Sequence, residues 1–153
     1  MLAMSRLSCL LVLALAGVGC EQRDTRVPVP SKNAELEKEI EKRQAPIRAE
    51  VARLGARHAW AGRYYGGDGL CENVVLWVAP DSGCVATWYG CLGLYGANWG
   101  KIEVQDGRLH VAFERPNTPG EFGDFDTDYE LGETDGARSL TPKVGVGPLI
   151  LQQ

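Results

Sequence analysis

The feature that most constrains this chain is a pair of strand-like stretches, residues 73–79 and 85–89, on either side of Pro80, Asp81, Ser82 and Gly83. The flanks are rich in Val, Leu, Trp and Tyr, which favour strands, while Pro, Asp, Ser and Gly favour the turn between them. The spacing predicts an antiparallel hairpin. Alternation sends Val74, Leu76 and Val78 to one face and Val75 and Trp77 to the other. A hairpin that is apolar on both faces needs a core on one side and a cover on the other.

The cover is expected from residues 33–57, where Leu36, Ile40, Ile47, Val51 and Leu54 recur at helical spacing along one stripe. Ser31 suits the N-cap, and Glu35, Glu37 and Glu39 suit the positive start of a helix. Pro46 breaks the run, so a kink or two helices meeting near Gln44 are expected. A second hairpin follows: residues 101–105 and 108–114 joined by Asp106 and Gly107, a pair suited to a tight turn with positive φ. After a proline- and glycine-rich loop at 116–123, residues 124–131 read as one more strand, and 132–153 as a weakly patterned tail with at most a weak last strand. The fold class is therefore mainly β: a small antiparallel meander or barrel of about five or six strands with an N-terminal amphipathic helix. The β domain spans 58–131, and closure is left open.

Register then bears on the cysteines. A turn centred near Asp81 sets Cys71 opposite Cys91 or Leu92 and leaves Cys84 beside the turn, roughly 23 Å along the strands from either partner. A disulfide needs Cα atoms within about 7 Å, so Cys71 is expected to pair with Cys91 and Cys84 to stay reduced. The alternative is three small buried residues that never oxidise.

The N-terminus supplies an address. Arg6 precedes an apolar run from 7 to 18 that is too short for a comfortable membrane span, so residues 1–19 read as a signal peptide. Gly17, Val18, Gly19 and Cys20 are similar to a lipobox, which implies lipidation of Cys20; ordinary cleavage before an unmodified Cys20 is the alternative. Residues 20–32 are polar with two prolines and suit a flexible tether. The expected location is the cell envelope, facing the periplasm or exterior, with the membrane reached through the N-terminal lipid. Without Arg6 the chain keeps fifteen basic and twenty acidic residues, a charge of -5 that disfavours nucleic acid as a partner.

Nothing in the sequence forces a reaction, and no catalytic residue, metal ligand or cofactor is assigned. Asp124, Asp126, Asp128 and Glu130 alternate like calcium ligands, but Tyr129 stands where such a loop needs glycine, so they are read as the wet face of an edge strand. His58 and His110 share no metal-binding spacing with each other or with Cys71, Cys84 and Cys91. Eight of the twelve aromatic residues lie between Trp60 and Trp99. Most of them are expected to fill a barrel; Trp88, Tyr89, Tyr95 and Trp99 are the candidates for an aromatic mouth that binds something apolar or sugar-like.

Two stretches carry a resemblance: Gly-x-Tyr-Tyr-x-Gly-Asp-Gly-Leu at 62–70 and aromatic-Gly-Cys-Leu-Gly-Leu-Tyr at 89–95. From about Trp60 to about Phe113 the chain resembles a group of uncharacterised exported bacterial proteins and lipoproteins. The resemblance implies kinship and no activity. Its members continue past the equivalent of Tyr129 into a basic, aromatic strand, from which 133–143 departs here. The functional expectation is a non-enzymatic envelope lipoprotein whose β domain binds a small ligand or an envelope protein. A structural role in an envelope complex ranks second, and a hydrolase with an unrecognised site third.

Overall fold

A computed structural model of the chain describes residues 34–115, 125–144 and 147–152. The expected signal peptide, Cys20, the expected tether, Ser31 and the whole 116–123 loop lie outside the described residues. Within them one helix, α1 (Ala34–Leu54), and a short 3₁₀ turn (Gly55–Arg57) lead into eight strands. These are β1 (Gly62–Gly67), β2 (Asn73–Ala79), β3 (Gly83–Gly90), β4 (Gly93–Gln105), β5 (Arg108–Phe113), β6 (Asp128–Thr134), β7 (Ala137–Pro142) and β8 (Leu149–Gln152). Each strand pairs antiparallel with the next, and β1 pairs with β8, closing an up-and-down barrel.

The barrel interior is filled by side chains. Tyr64, Leu76, Val78, Ala86, Leu109, Tyr129, Leu140 and Leu149 are buried there, together with Cys84. Eight strands leave an interior of about the width that side chains can fill. Tyr64 lies deepest on β1, its hydroxyl donating to the Trp60 carbonyl at 2.8 Å, and burial pushes its pKa up to about 12. A second core lies outside the sheet. There Ile40 and Ile47 of the helix pack on Ala79, Val85, Leu94, Ala97 and Trp99, with Val51 and Trp77 at the margin. The helix is thus the cover that the two-faced hairpin required.

Glu50 fixes that cover in place. Only 6 % exposed, it accepts the amides of Asp81 at 3.0 Å and Ser82 at 2.8 Å, so a helix carboxylate caps the β2–β3 turn. Burial alone would raise its pKa; the two turn amides, the Ser82 side chain and the Arg53 charge outweigh burial and hold it below its ordinary value. Because the folded pKa is depressed, this contribution is complete above the unfolded pKa and disappears as pH falls through the folded one. Glu50→Ala is expected to cost roughly 1.5 to 3 kcal/mol at neutral pH, from hydrogen bonds to a charged group. The difference between variant and parent in urea unfolding should shrink as pH drops below the carboxylate range; a constant difference would contradict this role.

Several expectations are corrected. Among the described residues the strands number eight, because the glycine-rich stretch 62–67 is β1 and residues 137–142 form β7, while 93–100 lengthens β4. The supposed tail holds the end of β6 and all of β7 and β8, and β8 completes the barrel through Arg63–Gln152, Tyr64–Leu151 and Tyr65–Ile150. The acid-rich strand is no edge: β6 is flanked by β5 and β7. The helix continues through Pro46 as one element. Its apolar residues on either side of the proline, Ile40 and Ile47, share one buried surface, so the alternative of two separate helices does not hold.

Candidate functional site

The β2–β3 register pairs Asn73 with Tyr89 and Val78 with Cys84. Continued past Asn73, it brings Cys71 and Cys91 together as a disulfide with Cα atoms 4.6 Å apart, while Cys84 is free and buried in the core. Burial pushes the Cys84 thiol up to about 12, which leaves it protonated at neutral pH.

The disulfide joins two tightly built connections at one end of the barrel. In the β1–β2 loop one oxygen of Asp68 accepts the amides of Leu70 (2.7 Å), Cys71 (2.9 Å) and Glu72 (3.1 Å), which hold its carboxyl below the usual range. Asn73 accepts from the Gly69 amide at 3.0 Å and from the Tyr65 hydroxyl. Gly69 has φ +75°, where a side chain would be strained. In the β3–β4 turn a Cβ on Gly90 would run into Tyr95 and the Cys71 carbonyl, so only glycine lets the two connections approach. Residues 62–70 and 89–95 therefore lead into one disulfide-tied corner.

This corner holds apolar side chains in water. Leu70 is 73 % exposed, Leu92 64 % and Tyr89 39 %. Leu70 and Leu92 each adjoin a disulfide cysteine in a short connection, outside the strands that would have turned them inward. The sequence reading missed both leucines. The signal that would have found them is an apolar residue fixed beside a cysteine in a glycine-flanked turn, where it has no core to enter.

The four aromatic candidates do not form one mouth. Trp88 and Tyr95 are together, ring centroids 5.9 Å apart, where the register shifts between Trp88 and Tyr89 and leaves Tyr95 as the extra residue of a bulge. Tyr89 lies in the disulfide corner. Trp99 lies under the helix, stacked between the guanidinium groups of Arg43 (4.5 Å) and Arg115 (4.6 Å). Its indole N–H donates to Glu114 at 2.8 Å, and Arg43 donates to both oxygens of the same carboxylate at 2.9 and 3.0 Å. Trp99 thus clamps α1 to the barrel through Arg43.

The remaining chemistry-bearing residues are dispersed. His58 Nδ1 accepts the Ala61 amide at 3.0 Å and supports the entry to β1. His110 Nδ1 is 2.5 Å from Asp128 on the outer face of β5 and β6. Asp126 caps the amides of Asp128 at 3.1 Å and Val144 at 2.9 Å, Glu130 is exposed, and Asp124 lies outside the described residues. Among the described residues no group of three or more His, Cys, Asp or Glu side chains could hold a metal ion.

Comparison of the chain with protein-family models, curated proteins and solved structures found no significant match.

Proposed function

We propose that this protein is a lipid-anchored, non-enzymatic component of the bacterial cell envelope that presents the disulfide-tied end of its barrel to another envelope protein. The observation that carries this reading is the exposure of Leu70, Leu92 and Tyr89 around Cys71–Cys91. An exposed apolar cluster on a rigid frame favours a protein contact, since its frame is already ordered before binding. The filled interior favours such surface recognition over a ligand held inside the barrel. A disulfide suits an oxidising compartment, in keeping with the signal peptide and lipobox read from residues 1–20.

Two experiments test the two halves. Metabolic palmitate label is expected to follow the protein in its host and to vanish in Cys20→Ala; an unlabelled, freely released protein would overturn the anchor. A photo-crosslinking residue at position 92 should give one discrete adduct in cells, absent when the crosslinker is moved to position 104 on β4. The adduct should be lost on Leu70→Ser. No adduct at 92, or the same adduct from both positions, would overturn the proposed contact face.

A further inference from the structure

The disulfide corner is marked by charge as well as by exposed apolar side chains. From Tyr64 to Gly100 the chain holds no Lys, Arg or His, although sixteen Lys and Arg residues are spread over the rest of it. β1 after Arg63, all of β2 and β3 and the first part of β4 lie in that stretch, so the strands that end at the corner bring no cation to it. β8, on the other side of β1, contributes uncharged Pro148 and Leu149 beside Gly66. The two connections themselves carry two charges, Asp68 and Glu72, one on each side of Leu70 and both exposed.

These charges are held in place. Asp68 accepts the Leu70, Cys71 and Glu72 amides on one oxygen, which fixes its carboxylate at one point of the loop. Glu72 follows a disulfide cysteine, and its own amide is among the three that Asp68 accepts. On the helix side of the molecule acids meet cations: Glu39 with Lys42 and Arg43, Glu41 with Arg48, Asp81 with Arg53. No such partner comes from the strands and connections that build the corner.

We propose that the protein docking on this corner receives Leu70 and Leu92 in an apolar pocket rimmed by Lys or Arg side chains that face Asp68 and Glu72. The proposal rests on the contact face inferred above and adds the chemistry of the partner. Charges around an apolar centre govern the rate of encounter and the choice of partner, and like charges brought together are costly. Two other occupants fit poorly on the same ground. A second copy bound through the same corner about a twofold axis would set acid against acid. An anionic bilayer attracts basic segments, and this tip presents carboxylates.

The test uses the full chain in its host, with the photo-crosslinking residue at position 92. The crosslinked peptide, identified by mass spectrometry, should come from another protein and carry Lys or Arg beside the attachment point. Glu72→Lys should lower the adduct yield roughly fivefold or more, Glu72→Gln should give an intermediate yield, and Glu37→Lys, at an exposed helix position, should leave it unchanged. Both Glu72 variants should keep the parent's melting temperature, which separates a lost contact from a lost fold. Reversing the partner's Lys or Arg to Glu should restore the adduct with Glu72→Lys. A crosslinked peptide from a second copy of this chain, an acidic one, or an undiminished yield in Glu72→Lys would overturn the proposal and leave the contact face standing. An adduct with lipid alone, or none, would overturn both.

Discussion

Ile47→Asp is expected to lower the stability of the domain by about 2 to 4 kcal/mol, through an unpaired charge placed in an apolar contact. Ile47 is 1 % exposed, at the centre of the core between the helix and the outer face of β2–β4. Arg43, one helical turn away, is already engaged by Glu39 and Glu114, so the new carboxylate must stay buried with little compensation, take up a proton or pull the helix away. Small domains have only about 5 to 15 kcal/mol in total, so this single change removes a large share. Val51→Asp should cost less, because Val51 lies at the margin of the same cluster. Urea unfolding followed by tryptophan fluorescence checks both, since Trp99 lies under the helix. An Ile47→Asp variant that unfolds at the parent's midpoint would show that α1 is not part of the cooperative unit.

Loss of the Cys71–Cys91 bridge is expected to cost about 3 kcal/mol, the loop-entropy value for a closed loop of this size. Cys71→Ser, Cys91→Ser and the double variant should be destabilised alike, since each removes the same cross-link and the effects cannot add. At roughly 4 °C per kcal/mol, the melting temperature should fall by about 10 °C or more. A reducing agent should lower the parent's melting temperature to the same value and leave the double variant unchanged. If reduction has no effect on the parent, the bridge contributes nothing to folding.

The parts of this fold that were legible in the sequence are those where one local signal decides the structure. The 80–83 turn set the β2–β3 register closely enough to pair Cys71 with Cys91 and to exclude Cys84. The two-faced hairpin demanded a cover, and the stripe from Leu36 to Val51 supplied it. The strands that escaped notice are those whose signal lies in partners distant in sequence. Gly100 sits in β4 because a side chain there would collide with the Ala112 carbonyl on β5, which no window around residue 100 reveals. β7 turns only a few side chains inward, with Leu140 fully buried, too few to give a visible period.

One missed strand pair did carry a readable mark. Asp135 and Gly136 adopt φ of 52° and 77°, nearly the 51° and 74° of Asp106 and Gly107. The same Asp-Gly rule that placed the β4–β5 hairpin therefore also placed β6–β7. The candidate sites were less legible. Exposure of Leu70 and Leu92 depends on how the two short connections close around the disulfide. Trp99 shows the reverse case: an aromatic in a suggestive stretch whose surroundings give it a structural task.

The order of the strands also bears on how the barrel must form. Every pairing except β1 with β8 joins neighbours in sequence, so hairpins can add one after another with little loop entropy to overcome. The seam is different: Arg63, Tyr64 and Tyr65 must wait for Ile150, Leu151 and Gln152. A chain emerging from a ribosome therefore carries β1 with one edge open until β8 has been made. That interval is when a strand edge is most prone to pair with another molecule.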